Sequence, residues 1–195
     1  MSYEQKQNQT RETILSAFIS LLQEKSFSKV TVGDIAEKAN INRGTFYKYY
    51  KDKYQLVEKI EAQILSELEE TDQHWIAEIQ AGNAGNDDIL VKSIVATLQV
   101  FERHADFINV MLSENGDAGF ERVLIQHTVE FERETMPSPR KSNKANDETR
   151  ELVAHYQASA LIGVVRYWLY NLNTPPIDLA NLILSIKRKG TYALS

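Results

Sequence analysis

Apolar residues recur along most of the chain at intervals of three and four, which is the spacing of one buried helix face. The first stripe predicts a helix that begins near Thr10, and a later one predicts a long helix over residues 52–79. Prolines and glycines are few and cluster at the breaks between stripes, so the pattern predicts an all-α protein. Further helices are predicted over residues 87–103, 105–113, 118–135, 147–172 and from 176 onward, with a polar loop over 136–145.

Two short helices are predicted between residues 31 and 50. Thr31, with Asp34 three residues later, resembles a capping box at the start of the first. Asn40 ends that helix and tolerates the left-handed conformation of a helix C-terminus. Asn42 is then placed to cap the second helix, residues 43–50. Two short helices joined by a tight turn form a helix-turn-helix.

The second of these helices has two chemically different faces. Phe46 and Tyr50 lie four residues apart on the face that Ile41 introduces. The alternative to a DNA-reading role is an aromatic surface helix packed on a neighbour, but one face cannot bury four aromatics in five positions. The other face carries hydroxyl, phenol and cationic groups that suit base edges and phosphates of a major groove: Arg43, Thr45, Tyr47, Lys48 and Tyr49.

The charge of the chain is unevenly distributed. The formal net charge over 195 residues is −5, which as an average argues against nucleic-acid binding. Residues 1–60 nevertheless carry ten bases against seven acids, a net +3, while the remainder carries twelve bases and twenty acids, a net −8. A basic head on an acidic body favours nucleic-acid binding at the head, with chance clustering on solvated helix faces as the alternative.

The sequence contains no motif for metal binding, cofactor binding or catalysis. There is no cysteine, and the four histidines stand at least 23 residues apart, so we expect no metal site and no cofactor. No phosphate-binding glycine loop, nucleophile elbow or carboxylate pair is visible, so we expect no catalytic residues and no enzyme. The polar N-terminus and the absence of an apolar stretch of about 18 residues predict a cytoplasmic protein without a membrane partner.

Residues 10–60 resemble the DNA-binding domain of the TetR family of bacterial transcription regulators. The resemblance rests on two runs, TVGDIAEKA from residue 31 and INRGTFYKYYKDK from residue 41. It implies a three-helix helix-turn-helix head in residues 1–52 and a long helix leading into a helical effector-binding and dimerisation domain in residues 53–195. It also implies contacts with the bases or phosphates of double-stranded DNA from Thr31, Asn42, Arg43, Gly44, Thr45, Tyr47, Lys48, Tyr49 and Lys53.

The sequence departs from the family pattern at three places. Asn40 replaces a common turn glycine, which is a mild change. Tyr49 and Tyr50 stand where His-Phe is frequent. Gly33 has no side chain at a position that reaches the groove in some members, which predicts fewer base contacts from the first of the two short helices.

The helix predicted over residues 147–172 carries two apolar stripes, so it must be buried on two sides. One side can pack on its own core, and the other predicts a homodimer in which the last two helices of each chain form a four-helix bundle. The alternative is a monomer whose final helix covers both stripes. The residues predicted at the dimer interface are Leu152, Tyr156, Ser159, Ala160, Gly163, Tyr167, Leu179, Leu182, Ile183 and Ile186.

The resemblance implies a ligand-responsive dimeric repressor that binds a palindromic operator and a small-molecule effector. Residues 155–168 also resemble the C-terminal domain of TetR relatives from low-GC Gram-positive bacteria, a type that includes a coregulator of dihydroxyacetone kinase genes. The alternative function is therefore a coregulator that depends on a second protein and binds DNA weakly by itself. Effector-pocket candidates, with ordinary core packing as the competing interpretation of each, are Trp75, Phe101, His104, Phe107, Tyr156 and Trp168.

Overall fold

The computed structural model describes residues 3–136, 144–171 and 173–189, and within these ranges it contains helices and turns but no strand. The all-α prediction is confirmed. Short 3₁₀ turns at Phe27–Lys29 and Asn83–Gly85 separate some of the helices. The helices are α1 (Tyr3–Glu24), α2 (Val32–Lys38), α3 (Arg43–Tyr47), α4 (Lys53–Gln80), α5 (Asp87–Arg103), α6 (Ala105–Met111), α7 (Ala118–Thr135), α8 (Lys144–Asn171) and α9 (Pro176–Lys189).

The chain forms two compact units. The first takes in the residues up to Gln63 together with Asp106–Phe120, and the second takes in Ile64–Ala105 and the residues from Glu121 onward. Helix α4 contributes its first turns to one unit and its remaining turns to the other. These packing units divide the chain differently from the boundary at residues 52/53, which concerns function and stays a prediction.

The first unit is built on α1, α2 and α3, with α1 packed against α2 and α2 against α3. Its core consists of apolar side chains removed from solvent, each of which stabilises the fold by about 1.5–3 kcal/mol. The backbone N–H of Phe27 donates to the carbonyl of Asn115 at 2.7 Å, which ties the first 3₁₀ turn to the segment after α6. The fully buried side chains include Ile14, Phe18, Ile35, Phe46 and Leu56.

The predicted capping box at the start of α2 is confirmed. Thr31 Oγ1 accepts the backbone N–H of Asp34 at 3.1 Å, and the Asp34 carboxylate accepts the Thr31 N–H at 2.8 Å. Lys25 Nζ lies 2.8 Å from the same carboxylate. The hydrogen bond from Lys25, followed by those from Thr31, lowers the pKa of Asp34 to about 2. Asn40 follows α2 with φ 52°, the left-handed conformation predicted for it.

Three local predictions in the first unit are wrong. Helix α1 begins at Tyr3, and the Thr10 hydroxyl donates to a carbonyl one turn earlier at 2.9 Å instead of capping the helix. Asn42 precedes α3, but its side chain makes no capping hydrogen bond. Helix α3 ends at Tyr47, because the N–H groups of Lys48 and Tyr49 turn back to carbonyls three residues earlier.

The second unit packs α5 along α9 and against α8. The α8 face that points into this unit is rich in alanine, which lets the helix approach the fully buried Val129 of α7 closely. Asn86, and not Asp87 or Asp88 as predicted, caps α5 through its side chain at 3.0 Å. Most of the loop predicted over 136–145 lies outside the described residues. The buried residues of α8 are Ala154, Ala158, Ile162, Val165, Trp168 and Leu169.

Across the described part of the chain, none of the helices combines the length and the apolar character that crossing a membrane requires.

Candidate nucleic-acid interface and regulatory cavity

Helix α3 turns one face into the core of the first unit and leaves the other on its surface. Phe46 is fully buried, whereas 57% of Tyr47 is exposed. Arg43, Gly44 and Lys48 are exposed as well. Eight of the nine residues predicted to contact DNA are exposed or half-buried. Four of the eight are named above; of the remaining four, Thr31 and Asn42 are exposed, and Thr45 and Tyr49 are half-buried.

The ninth residue, Lys53, is buried, and its predicted phosphate contact is wrong in this structure. The side chain turns inward, and only 8% of the residue is exposed. Its ammonium donates to the carbonyls of Phe27 at 2.6 Å, Ser28 at 3.1 Å and Val30 at 2.8 Å. These bonds use all three ammonium protons and leave none for a phosphate. Burial lowers the pKa of Lys53.

Lys53 also lies between two aromatic rings, 4.7 Å from the ring centre of Phe27 and 5.2 Å from that of Tyr54. Cation–π attraction adds to the three hydrogen bonds. The carbonyls that Lys53 holds belong to the segment directly before Thr31, the capping residue of α2. Lys53 therefore fixes the entry into the helix-turn-helix from the first turn of α4.

The turn after α3 is held from both sides. The Arg11 guanidinium of α1 lies 5.7 Å from the ring centre of Tyr49. Lys59 of α4 donates to the Tyr49 carbonyl at 3.0 Å and lies 5.1 Å from the ring centre of Tyr50. Tyr50 is 4% exposed, and burial raises its pKa. The end of α3 is thus fixed against α1 and α4.

The second unit contains a cavity of about 40 Å³ between side chains of α4, α5, α7, α8 and α9. Two larger clefts of about 320 and 300 Å³ share walls with it, and Phe131 lines all three spaces. The walls of the small cavity are mostly apolar, with a few polar groups that converge on it. Apolar walls with a few convergent polar groups are typical of small-molecule sites.

Two buried carboxylates border this cavity, each paired with a basic side chain. The His127 ring nitrogen Nε2 lies 2.9 Å from the Asp72 carboxylate, and Lys187 pairs with Glu132. Asp72 is 6% exposed and Glu132 is 5% exposed. The pairs connect α4 with α7 and α7 with α9. Removing one partner of a buried pair leaves an uncompensated charge and costs about 3–5 kcal/mol.

The sequence patterns do not single out these four residues, although the sequence contains one signal for a buried charge. Asp72 falls on the same helical stripe as Leu68 and Ile79, so a charge occupies a position that the spacing assigns to the core. A charge on a core stripe indicates a buried partner on another helix. The sequence does not indicate which residue is the partner of Asp72.

Five of the six effector-pocket candidates do not line the cavity; Phe101 alone does so. Trp168 donates its indole N–H to the Thr174 carbonyl at 2.8 Å, and 71% of Tyr156 is exposed. The other three are engaged elsewhere: His104 with Glu67 at 2.9 Å, Phe107 edge-on against Phe120 at 5.6 Å, and Trp75 edge-on against His74 at 4.7 Å.

The residues of α8 that were predicted at the dimer interface are exposed, whereas those of α9 differ in their exposure to solvent. Leu182 is 43% exposed and Ile186 is half-buried. Leu179 and Ile183 are only 5% and 7% exposed, so their assignment to a dimer interface is wrong. The physical reason is that α9 packs along α5 and buries this face within its own chain. The exposed α8 residues are Leu152, Tyr156, Ser159, Ala160, Gly163 and Tyr167.

We expect the stability of the second unit to depend on pH through His127. The hydrogen bond to Asp72 raises the pKa of His127 above 6.5, and burial raises the pKa of Asp72. The folded state therefore holds these protons more tightly than the unfolded state. The resulting stability is present below pH 6.5 and is lost as the pH rises through the folded pKa of His127.

The free energy of unfolding, measured in urea at about pH 6 and about pH 8, should fall between the two. His127→Gln should reduce that fall, whereas His155→Gln, which removes an exposed histidine of α8, should not. Equal pH dependence of the wild type and the His127→Gln variant would contradict the assignment.

No group of three or more histidine, aspartate or glutamate side chains that could hold a metal ion occurs among the residues that the structure describes.

Comparison with known families agrees with this geometry. Residues 14–60 match the family model described as bacterial regulatory proteins of the tetR family. Residues 90–188, half of the chain, match the model of a transcriptional regulator C-terminal region in the same group. The chain belongs to the TetR family. This TetR-family chain thus carries the helix-turn-helix region and the C-terminal region of a transcriptional regulator.

This TetR-family chain is similar to individual proteins of known sequence or structure. The HTH-type transcriptional regulator YxbF of Bacillus subtilis is 24% identical over 156 residues, which are 80% of this chain and 38% of YxbF. The chain thus spans less than half the length of that relative. The solved TetR transcriptional regulator from Streptococcus agalactiae 2603V has a TM-score of 0.55 at 25% identity, over 94% of this chain and 96% of that one. The dihydroxyacetone kinase operon activator DhaS has a TM-score of 0.56 at 20% identity, over 91% and 93% of the two chains, which shows a common fold.

Proposed function

We propose that this TetR-family chain is a ligand-responsive homodimeric repressor that binds a palindromic operator through α3. The observation that carries the proposal is the division of α3 into a buried and an exposed face. Phe46 is fully buried, while Arg43, Tyr47 and Lys48 present cationic and phenolic groups to solvent. Guanidinium and phenol groups can donate to base edges in a major groove, and ammonium groups bind phosphates along its rim.

The individual roles follow from the chemistry of each exposed group. Arg43 can donate two parallel hydrogen bonds to a guanine, which is the commonest base-specific contact. Lys48, in the turn after α3, suits a phosphate. The Thr31 hydroxyl donates to the Asp34 carboxylate at 2.8 Å, so the phosphate contact proposed for Thr31 requires this hydroxyl proton to turn away from Asp34. Gly44 faces open space, since a Cβ there would meet no atom of the chain within 4 Å. Its lack of a side chain would let the backbone of α3 approach the DNA. Asn42, Thr45 and Tyr49 complete the proposed set.

The proposed homodimer rests on the outer face of α8. Leu152, Tyr156, Tyr167 and Tyr170 are each between 71% and 85% exposed and lie along one helix face. Four large side chains in one stripe exceed the scattered exposure of a monomer surface. Gly163 in the same stripe lets a second helix approach closely. A two-fold interface of this kind presents two heads, as a palindromic operator requires.

The proposed effector site is the cavity of the second unit. A small organic molecule with an apolar body and a polar group suits the apolar walls and the polar groups at Asp72 and Glu132. A ligand larger than about 40 Å³ that enters this space must displace some of the side chains that line it. Helix α4 carries Lys53 in its first turn and Asp72 in its second half, so a shift of α4 is the proposed route from effector to operator.

Two substitutions test the assignment of roles on α3. Arg43→Ala should relax the sequence preference at one base pair by about 1–3 kcal/mol. Lys48→Ala should weaken binding to all sequences alike and reduce the slope of log affinity against log salt by about one. Competition binding with single-base operator variants at several salt concentrations measures both effects.

Lys38→Ala serves as the control, because Lys38 is an exposed lysine of the same unit that pairs with Glu24 at 3.0 Å. It should change neither quantity. Equal effects of Arg43→Ala and Lys48→Ala on sequence preference and on salt slope would refute the division of roles.

A further inference from the structure

The first turn of α2 lacks a side chain at Gly33, and the Arg43 side chain of α3 lies in the space this leaves. A Cβ atom built on Gly33 would lie 2.5 Å from Nη2, 3.1 Å from Cζ and 3.3 Å from Nε of Arg43. A Cβ atom essentially never lies closer than 3.0 Å to a non-bonded atom of another residue. The observed position of the guanidinium is therefore compatible with glycine at residue 33 and with no other residue.

Gly33 differs in this respect from the two other glycines that have a proposed role, Gly44 and Gly163. Gly44, directly after Arg43 in α3, would place a Cβ with no atom within 4 Å, and Gly163 would do the same in α8. Gly33 also shows no positive φ, so the backbone does not itself require glycine there. What Gly33 provides is room for the guanidinium.

Hydrogen bonding to a base depends more strictly on the position of a guanidinium than on that of an ammonium, because the guanidinium donors form a rigid planar fork. Two parallel hydrogen bonds to a guanine require both the place and the plane of that fork to be right. An arginine side chain that samples many rotamers in the free protein loses conformational entropy when it binds a base. That loss reduces the affinity for the correct base. A surface that holds the guanidinium before DNA arrives reduces the loss.

We propose that Gly33 is a specificity-determining residue that acts through Arg43. By leaving its Cβ position empty, it lets the guanidinium lie across the first turn of α2, and this sets the point from which Arg43 reaches the DNA. Gly33 is thus a positioning residue, and the inference rests on the role proposed for Arg43. It replaces the expectation that glycine at residue 33 only removes base contacts from α2.

The competing explanation is that Gly33 lets the backbone of α2 approach the DNA. The two explanations differ in their dependence on Arg43. A methyl group that displaces the guanidinium has no effect on preference once the guanidinium is gone. A methyl group that touches DNA has the same effect whether or not Arg43 is present.

The test compares the wild type with Gly33→Ala, Arg43→Ala and the double variant. Each purified protein selects DNA from a pool randomised over the operator, and the enriched sequences give the discrimination at every base pair. Gly33→Ala should lose about tenfold of the discrimination at the base pair that Arg43→Ala relaxes, and leave the other positions unchanged. The double variant should match Arg43→Ala alone.

Folding is checked separately by thermal unfolding. Because alanine favours a helix over glycine and the displaced side chain can move into solvent, the Tm of Gly33→Ala should be at least that of the wild type. An unchanged preference in Gly33→Ala, or the same loss with and without Arg43, would overturn the inference while leaving the proposed function intact. An unchanged preference in Arg43→Ala would overturn both.

Discussion

Gly163→Asp is expected to separate the proposed homodimer and to weaken operator binding by about 100-fold or more. The substitution places a carboxylate in the middle of the exposed α8 stripe, where a second helix would otherwise approach closely. A carboxylate buried there without a partner costs several kcal/mol. Once the dimer separates, each head binds its half-site alone, and the gain from binding two half-sites together is lost.

The chain itself should tolerate Gly163→Asp, because a Cβ at this position meets no atom within 4 Å. Light scattering after size exclusion gives the mass in solution, and titration of labelled operator gives the affinity. Gln99→Asp adds the same charge to an exposed position of α5 and should leave both quantities unchanged. A Gly163→Asp variant that remains a dimer would show that the α8 stripe is not the interface.

Lys53→Met is expected to lower the free energy of unfolding by about 3 kcal/mol. Methionine retains most of the aliphatic stem but removes the ammonium, so three carbonyls lose their donor at once. Two of these three hydrogen bonds are buried. Water cannot replace a buried donor without opening the segment, and each buried carbonyl without a partner costs about 1–3 kcal/mol.

Lys51→Met is the matched control, because Lys51 is an exposed lysine two residues away. It should change the stability by less than about 0.5 kcal/mol. Urea titrations of the two variants measure the difference. If Lys53→Met kept the wild-type stability but reduced the salt dependence of DNA binding, the phosphate contact predicted from the sequence would be right and the inward position of Lys53 wrong.

The parts of the fold that were predicted from the sequence are those that depend on residues close together along the chain. The capping box of Thr31 and Asp34 acts over three residues, and the left-handed turn at Asn40 depends on one residue. The inward and outward faces of α3 follow from the spacing of Phe46 and its neighbours. The helices of the body were predicted to within a few residues for the same reason, since spacing along one helix is a local property.

The predictions that failed depend on contacts between residues distant in sequence. Lys53 bonds to carbonyls 23 to 26 residues away, and nothing in its neighbourhood distinguishes it from the exposed Lys51. Leu179 and Ile183 have the spacing of an interface stripe, but the packing of α9 on α5 decides which surface they face. The partners Asp72 and His127 are 55 residues apart. Spacing gives the face of a helix but not the neighbour that covers it.

The most direct test of the central claim is a footprint of the purified chain, without any other protein, on DNA fragments from its own genome. We predict protection of an inverted repeat whose half-sites lie about one helical turn or a multiple apart, with two chains bound per site. Log affinity should fall linearly with log salt. Protection that appears only when a second protein is added would instead show a coregulator, and would contradict a repressor that binds its operator by itself.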